Sequence, residues 1–331
     1  MTTLGSNSCR TSVLLLLCLL AAPVGATAGE DGGYPGNQLQ WGVGARAVAM
    51  GSAFTAIAEG ATGFAWNPAG ISQGREDRLE SAWRTKSFDR QAGYVAYVHP
   101  FGREEAAMGL SWVYAGESNV YERSLDGTRG DKLSNFTNAA AFTFARRFTR
   151  VLSVGLNLRY VQQDIANVDA YTVGFDIGAH FRFVRDWQLG SMTIPMSKVR
   201  MGIAVQQLNQ KYPWTTGEYW VKQGETGSSF DEKFPLIIRA GVAANVWKDR
   251  ALVSVDGEFS DELDERIHAG VEVIPVTKFA LRAGLDHDQP TLGAGWSLPI
   301  EQALLLNLDY AFATQRDAID PEHVFSLGLR F

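Results

Sequence analysis

Tyr171-Thr172-Val173-Gly174-Phe175-Asp176-Ile177-Gly178-Ala179-His180-Phe181-Arg182-Phe183 alternates strictly between apolar residues and polar or small ones. Successive side chains of a strand point to opposite faces, so Tyr171, Val173, Phe175, Ile177, Ala179, Phe181 and Phe183 make one oily face. A strand of a soluble sandwich shows the same alternation, so the neighbouring segments decide. Leu152, Val154, Leu156, Leu158 and Tyr160 oppose Ser153, Gly155, Asn157 and Arg159. Ile267, Ala269, Val271 and Val273 oppose Arg266, His268, Gly270 and Glu272, and Phe279, Leu281, Ala283 and Leu285 oppose Arg282, Gly284 and Asp286. Leu304, Leu306, Leu308, Tyr310 and Phe312 share a face against Asn307 and Asp309. Aromatic residues gather near segment ends, where a membrane barrel places its interfacial girdles.

From Asp77 onward about fourteen such segments begin, near residues 77, 91, 105, 134, 151, 169, 198, 234, 251, 264, 279, 291, 302 and 321. An even number suits a single-chain transmembrane barrel. If the first strand runs outward, the periplasmic connections fall near 100–104, 147–150, 185–197, 247–250, 275–278 and 299–301. The two longest connections, near 115–133 and 209–233, then share the extracellular side, as the short-inside, long-outside asymmetry of such barrels requires. Segments of this length, tilted by roughly 40°, span about 25–30 Å, and fourteen of them close into a cylinder roughly 28 Å across. Wall side chains cannot fill that width, so the barrel is either plugged or an open pore.

The first residues set the compartment. Arg10 precedes the apolar run Val13–Ala22, and Ala26-Thr27-Ala28 makes a small-x-small cleavage site before Gly29. That order reads as a secretory signal peptide, too short to remain as a membrane helix. Leu17 ahead of Cys18 argues against a lipoprotein anchor. Removing residues 1–28 leaves 303 residues at net charge −7, because the signal holds one of the 30 basic residues and none of the 36 acidic ones. Cys9 and Cys18 leave with it, so the mature chain has no disulfide, thiol nucleophile or cysteine metal site. No basic stripe for nucleic acid is present. No later segment holds the roughly 18 consecutive apolar residues of a spanning helix, so membrane insertion requires a closed barrel.

Residues 29–76 do not alternate. They are rich in glycine and alanine, with a helix-permissive run from Ala45 to Ala58, and they are the expected plug; a periplasmic cap is the alternative. The sequence thus predicts an all-β, transmembrane antiparallel β-barrel with an N-terminal hatch, divided into a signal peptide at 1–28, a hatch at 29–76 and an outer-membrane barrel at 77–331. The last strand places Phe325, Leu327, Leu329 and Phe331 on one face with an aromatic terminal residue. This resembles the C-terminal signal read by the barrel-assembly machinery, although the fuller pattern prefers a glycine near Ser326.

Two blocks of the hatch are specific: Gly42-Val43-Gly44-Ala45-Arg46-Ala47-Val48-Ala49-Met50-Gly51-Ser52-Ala53-Phe54-Thr55-Ala56, and Trp66-Asn67-Pro68-Ala69-Gly70. Together they resemble the N-terminal signature of the PorV/PorQ family, within the wider FadL-like transporter superfamily; the resemblance covers about residues 38–72 and the C-terminus. It implies a fourteen-stranded barrel with a lumenal hatch, in which Asn67, Pro68, Ala69 and Gly70 form the hatch turn. Asn67 can hydrogen-bond its own backbone two residues on, and Pro68 fixes φ. FadL-like members take up long-chain fatty acids or other hydrophobic compounds. PorV is an accessory protein of type IX secretion that docks secreted proteins carrying a sorting domain.

Other constellations carry less. Asp286-His287-Asp288 at an expected loop tip has the makings of a carboxylate-oriented base, but reads better as a tight turn. Asp261, Glu262, Asp264 and Glu265 fit no EF-hand, and Arg129-Gly130-Asp131 sits in a glycine-rich loop. No nucleophile elbow, zinc motif or phosphate loop is present, and the scattered histidines form no metal site. The expectation is therefore no enzyme, no cofactor and no metal. Arg159, Asp176, Arg182, Asp256, Glu258, Arg282 and Asp309 on the polar face carry both signs, which suits salt bridges that hold a plug rather than an ion-selective ring. Two functions remain open. One is inward transport of hydrophobic small molecules. The other is docking of a secreted protein partner by the aromatic loop with Tyr212, Pro213, Trp214, Tyr219 and Trp220, which equally suits a greasy ligand entrance.

Overall fold

The computed structural model describes residues 34–331 apart from 103–104, 125, 167, 184–186, 190–191, 195, 218–225, 302 and 315–319. The signal peptide expected at 1–28 lies outside the described residues. From Arg78 on, fourteen antiparallel strands close into one barrel in sequence order. They are β1 (Arg78–Lys86), β2 (Arg90–Phe101), β3 (Ala106–Glu117), β4 (Asn135–Arg147), β5 (Leu152–Ile165), β6 (Val168–Phe183) and β7 (Met196–Leu208). Then follow β8 (Ile237–Val246), β9 (Ala251–Ser260), β10 (Arg266–Val276), β11 (Phe279–Asp286), β12 (Gln289–Pro299), β13 (Leu305–Ala313) and β14 (Glu322–Arg330). Each begins within three residues of its expected start. The ring closes where β1 pairs with β14, Trp83 opposite Phe325, and Asp77 and Phe331 exchange backbone hydrogen bonds just beyond.

Alternation sorts the two faces as expected. On β6, Tyr171, Val173, Phe175 and Ile177 are exposed outside the barrel while Thr172, Asp176 and His180 are buried within it. Apolar side chains that in a soluble protein would form a core instead coat the exterior: Leu110 is 63% exposed, Ile267 68% and Phe325 59%. Phe325, Leu327 and Leu329 lie along the outer face of β14. No described helix is long and apolar enough to cross a membrane.

The connections 118–134 and 209–236 lie at the same end of the barrel, called here the loop end. Each folds into a short hairpin, Tyr121–Arg123 with Arg129–Lys132 and Lys211–Thr215 with Ser229–Lys233. The other end, where β1 begins and β14 finishes, is the terminus end. It carries a third hairpin, Trp187–Leu189 with Met192–Ile194.

The N-terminal segment contributes no strand to the barrel. Its regular structure is short: a helix at Ala45–Ala49, another at Gly63–Trp66, and 3-10 turns at Asn37–Gln40, Gly60–Thr62 and Pro68–Gln73. The helix-permissive run to Ala58 stops early because Gly51 and Ser52 both turn left-handed, at φ 62°. Only glycine adopts that conformation freely, and Gly51 also lies against the backbone of Ala269 and Leu285, leaving no room for a Cβ.

Candidate functional site

Short helices leave many backbone carbonyls without an internal partner, and buried ones must find a donor elsewhere. Here the inward polar faces of the strands supply it. Arg84 donates to the Gly42 carbonyl at 3.2 Å, Thr291 to Ala49 at 3.3 Å, His180 to Ala56 at 2.6 Å, and Asn157 to Phe64 at 3.2 Å. Gln206 donates to Ala65 at 2.6 Å and Arg147 to Ser72 at 2.8 Å. In return Asp256 accepts from the Thr55 amide at 2.6 Å and Ser326 from the Ala45 amide at 2.7 Å. These donors and acceptors come from strands all round the barrel, so the segment lies within the ring of strands.

The segment touches the wall through backbone as well as side chains. Three directly opposed glycine pairs, Gly155–Gly178, Gly202–Gly241 and Gly270–Gly284, face it. A Cβ at Gly155 would overlap the backbone of Pro68 and Ala69, and one at Gly178 the Asn67 side chain. At Gly202 it would meet Thr55, and at Gly270 and Gly284 the backbone of Met50 and Gly51. Glycine is the only residue that admits this approach. Sequence inspection shows these glycines on the polar face but not their register, which turns them into docking slots.

The expected turn sits at the centre of this contact. Asn67 is fully buried. Its amide donates to the carbonyls of Thr55 and Ala179 at 3.1 and 3.0 Å, while its Oδ1 accepts from the Ala69 amide at 3.1 Å. Asn67 thereby caps the 3-10 turn that Pro68 starts, and Ala69 and Gly70 are buried beside it.

Five of the seven mixed-charge residues expected on the inner face, Arg159, Asp176, Glu258, Arg282 and Asp309, form ion pairs. Arg159 bonds Asp176 at 2.5 Å, Arg239 pairs with Glu258 at 2.5 Å, and Arg282 with Asp309 at 2.6 Å. Glu272 is the link to the segment: its two oxygens accept from Arg46 at 2.9 Å each, and it also accepts from Arg282 at 2.6 Å. Arg46 reaches Glu59 at 2.9 Å as well. Burial opposes the charge on Glu59, but the guanidiniums of Arg46, Arg78 and Arg200 outweigh it and hold its carboxyl at about 2. The carboxyl is lowered, so this bridge is present above the usual carboxylate range and is lost only as pH falls through about 2. Replacing Glu272 by Gln leaves two guanidiniums short of their anion, at a cost of about 3 kcal/mol to docking of the segment. Hydrogen exchange at the Ala45–Ala49 amides should accelerate accordingly while the strand amides keep their protection; unchanged exchange at 45–49 would show that Glu272 does not hold the segment.

Cavities lie on both sides of the segment. Toward the loop end, Leu39, Val43, Phe64 and Ile237 together with Arg159, Gln206, Gln207 and Arg239 line a space of about 40 Å³. Toward the terminus end the lumen widens into a charged vestibule in two lobes, about 470 and 230 Å³, both lined by Arg46, Glu59, Glu272 and Ile274. On the barrel exterior a groove of about 820 Å³ crosses β1–β3 and β11–β14, floored by small residues such as Ser81, Gly93 and Ala294 and walled by Trp83, Trp112, Trp296 and Phe325. It shares Tyr94, Phe279, Gly295, Asp309, Ser326 and Leu327 with the larger lobe, so the two spaces back on one patch of wall.

The aromatic loop is placed differently from a free docking surface. Tyr212 is fully buried and Trp214 nearly so; they pack on Phe234, whose ring centroid is 4.8 Å from that of Tyr212, and on the wall residues Ala139, Val161 and Ala170. The hairpin thus folds inward over the lumen. Pro213 is exposed. Tyr219 and Trp220 lie outside the described residues. The Asp286 carboxylate accepts from Ser52 at 2.8 Å and lies 2.8 Å from His268 Nδ1, while His287 occupies a two-residue turn at φ 57°. The acidic residues 261, 262, 264 and 265 are exposed, and no described group of three or more His, Cys, Asp or Glu side chains is arranged to hold a metal ion.

No protein-family model matches the chain, and no curated protein matches it in sequence. Solved structures share its fold. The CymD monoaromatic hydrocarbon channel superposes with a TM-score of 0.58 at 15% identity, covering 90% of this chain and 98% of that one. The Pseudomonas putida toluene transporter TodX gives 0.57 at 12% identity, covering 87% and 96%. A Pseudomonas aeruginosa FadL homologue gives 0.51 at 11% identity, covering 84% and 95%. The chain thus shares the overall fold of these barrels, and the likeness is one of fold alone.

Proposed function

We propose that this chain is a bacterial outer-membrane transporter of small hydrophobic molecules, exported by a cleaved signal at 1–28 and gated by a hatch at 29–76 inside the barrel of 77–331. The observation that carries the reading is how the segment is held. It packs a small apolar cluster, Met50, Phe54, Ile57 and Trp66, against Ala243 and Leu252 of the wall, and is otherwise fixed by hydrogen bonds, ion pairs and glycine slots, an arrangement that fills the lumen yet can be undone locally. A general pore needs no such filling. The apolar exterior suits lipid, and Phe325, Leu327, Leu329 and Phe331 serve as the signal to the assembly machinery. Fold likeness to hydrocarbon channels supports hydrophobic cargo, and the aromatic groove outside the wall gives such cargo a surface to rest on.

The motif resemblance to PorV/PorQ carries a second reading, docking of a secreted protein. The aromatic loop suits either reading and does not decide between them; fold likeness to hydrocarbon channels favours transport. The test is uptake by an outer-membrane-transport-deficient host expressing the chain, with labelled toluene and a labelled long-chain fatty acid as probes. At least one probe should enter faster than in cells with an empty vector. Porin-like conductance of the purified protein in planar bilayers, or no gain for either probe, would overturn the proposal.

A further inference from the structure

Arginine faces arginine twice at the terminus end. Arg78 on β1 is directly opposite Arg330 on β14, and Arg182 on β6 is directly opposite Arg200 on β7. Like charges in direct cross-strand register destabilise a sheet; Arg78, Arg330 and Arg200 are half-buried, and Arg182 is exposed. Each pair therefore costs stability unless something neutralises it. For the first pair the chain provides nearby carboxylates: Arg78 and Glu80 both lie against Gly60, next to Glu59.

The second pair is less well served. Arg200 donates to the Asn245 side chain at 2.7 Å, but its Nε is buried without a partner. Neither Arg182 nor Arg200 forms a direct carboxylate ion pair among the described residues, and Glu59, which acts on Arg200 through space, is bonded to Arg46 instead. Lys198 and Arg250 line the same 230 Å³ lobe, and the carboxylate there outside the Arg46–Glu59–Glu272 group is Asp249, which is paired with Lys198 at 2.6 Å. β7 is bulged against β8 between Ser197 and Arg200, with Lys198 at φ 48°, and bulges re-aim side chains. Leu252 and Ile274 give the lobe an apolar side.

We propose that this lobe is an oxyanion site, in which Arg182 and Arg200 hold a phosphate or carboxylate group between their guanidiniums. Planar guanidinium forks match such groups through paired hydrogen bonds, and an anion placed there relieves the cross-strand repulsion. The apolar side admits the group either as a free anion or as the head of an amphiphile. The site stands on register and charge alone. It does not depend on the transport reading, so failed uptake and failed anion binding are separate results.

Phosphorus NMR on the purified full barrel in non-ionic detergent, at constant ionic strength, tests the site with two probes: inorganic phosphate and dihexanoyl phosphatidic acid. Saturable broadening of either is expected, with affinity falling about tenfold or more in Arg182→Gln/Arg200→Gln, since each lost charged hydrogen bond is worth roughly that factor. Broadening of both identifies a phosphate group from any source; broadening of the lipid alone identifies an amphiphile head. Lys211→Gln, on the far hairpin, should bind as the unmodified protein does. If the double variant does not fold, Arg200→Lys keeps the charge but loses the planar fork and should still weaken binding. Absence of saturation by both probes at millimolar concentration overturns the proposal, as does equal affinity in the arginine variants.

Discussion

Gly178→Val should expel the proposed hatch and leave the barrel standing. A Cβ at this position overlaps the Asn67 Oδ1 and comes within 2.8 Å of Pro68 Cδ. The wall cannot retreat, because Gly178 is paired on one side with Gly155 of β5 and on the other with Ala204 of β7. Valine itself favours a strand, so the wall loses nothing by the change. The turn must therefore yield. Overpacking costs about 1–3 kcal/mol, and the Asn67 bonds that break add about 1 kcal/mol each, so docking weakens by about 3–5 kcal/mol. Planar-bilayer conductance should rise several-fold and residues 34–76 should become sensitive to protease, while the heat-dependent gel mobility of the folded barrel persists. Gly257→Val is the control, since a Cβ there meets only the ring of Phe259, at 3.2 Å. A Gly178→Val protein as insulating as the unmodified one would show that the close contact does not set the seal.

How much of this was legible beforehand follows from which interactions are local. Strand alternation is local, since burying one face and exposing the other imposes period two on each segment separately; all fourteen strands and the shared end of the long loops follow from it. The turn at Asn67–Gly70 was visible because its chemistry lies within four consecutive residues. Contacts that depend on register were not. Glycines 155 and 178 read as unremarkable polar-face residues until pairing sets them side by side against Pro68. Likewise, Arg182 read as one of a set of plug-holding charges until register placed it opposite Arg200. Glu272, the main tie to Arg46, is 226 positions away from it in the chain. The helix-permissive run stops at Ala49, and Tyr212 and Trp214 turn inward, for the same reason: the wall decides where the chain must bend, and composition is silent about the wall.

The strongest single-residue test of the hatch is Asn67. Its side chain satisfies two carbonyls from different parts of the molecule, Thr55 within the hatch and Ala179 in the wall, and also caps the turn that follows. Asn67→Ala removes all three bonds and strands buried groups, a loss of about 3 kcal/mol. Asn67→Asp separates the roles. Aspartate still accepts from the Ala69 amide, but it replaces the donating amide with a carboxylate that faces two carbonyl oxygens in a site closed to water. If the donor bonds matter most, the aspartate variant docks less well than the alanine one, although by shape it is the milder change. If the cap matters most, the order reverses. Hydrogen exchange at residues 45–73, read beside the strand amides as an internal reference, reports the order directly. Protection unchanged in both variants would mean the turn is held by packing against Gly155 and Gly178 alone. The joint role of Asn67 as cap and as wall tie would then fall, whereas the glycine slots would remain as the means by which this barrel keeps its lumen filled.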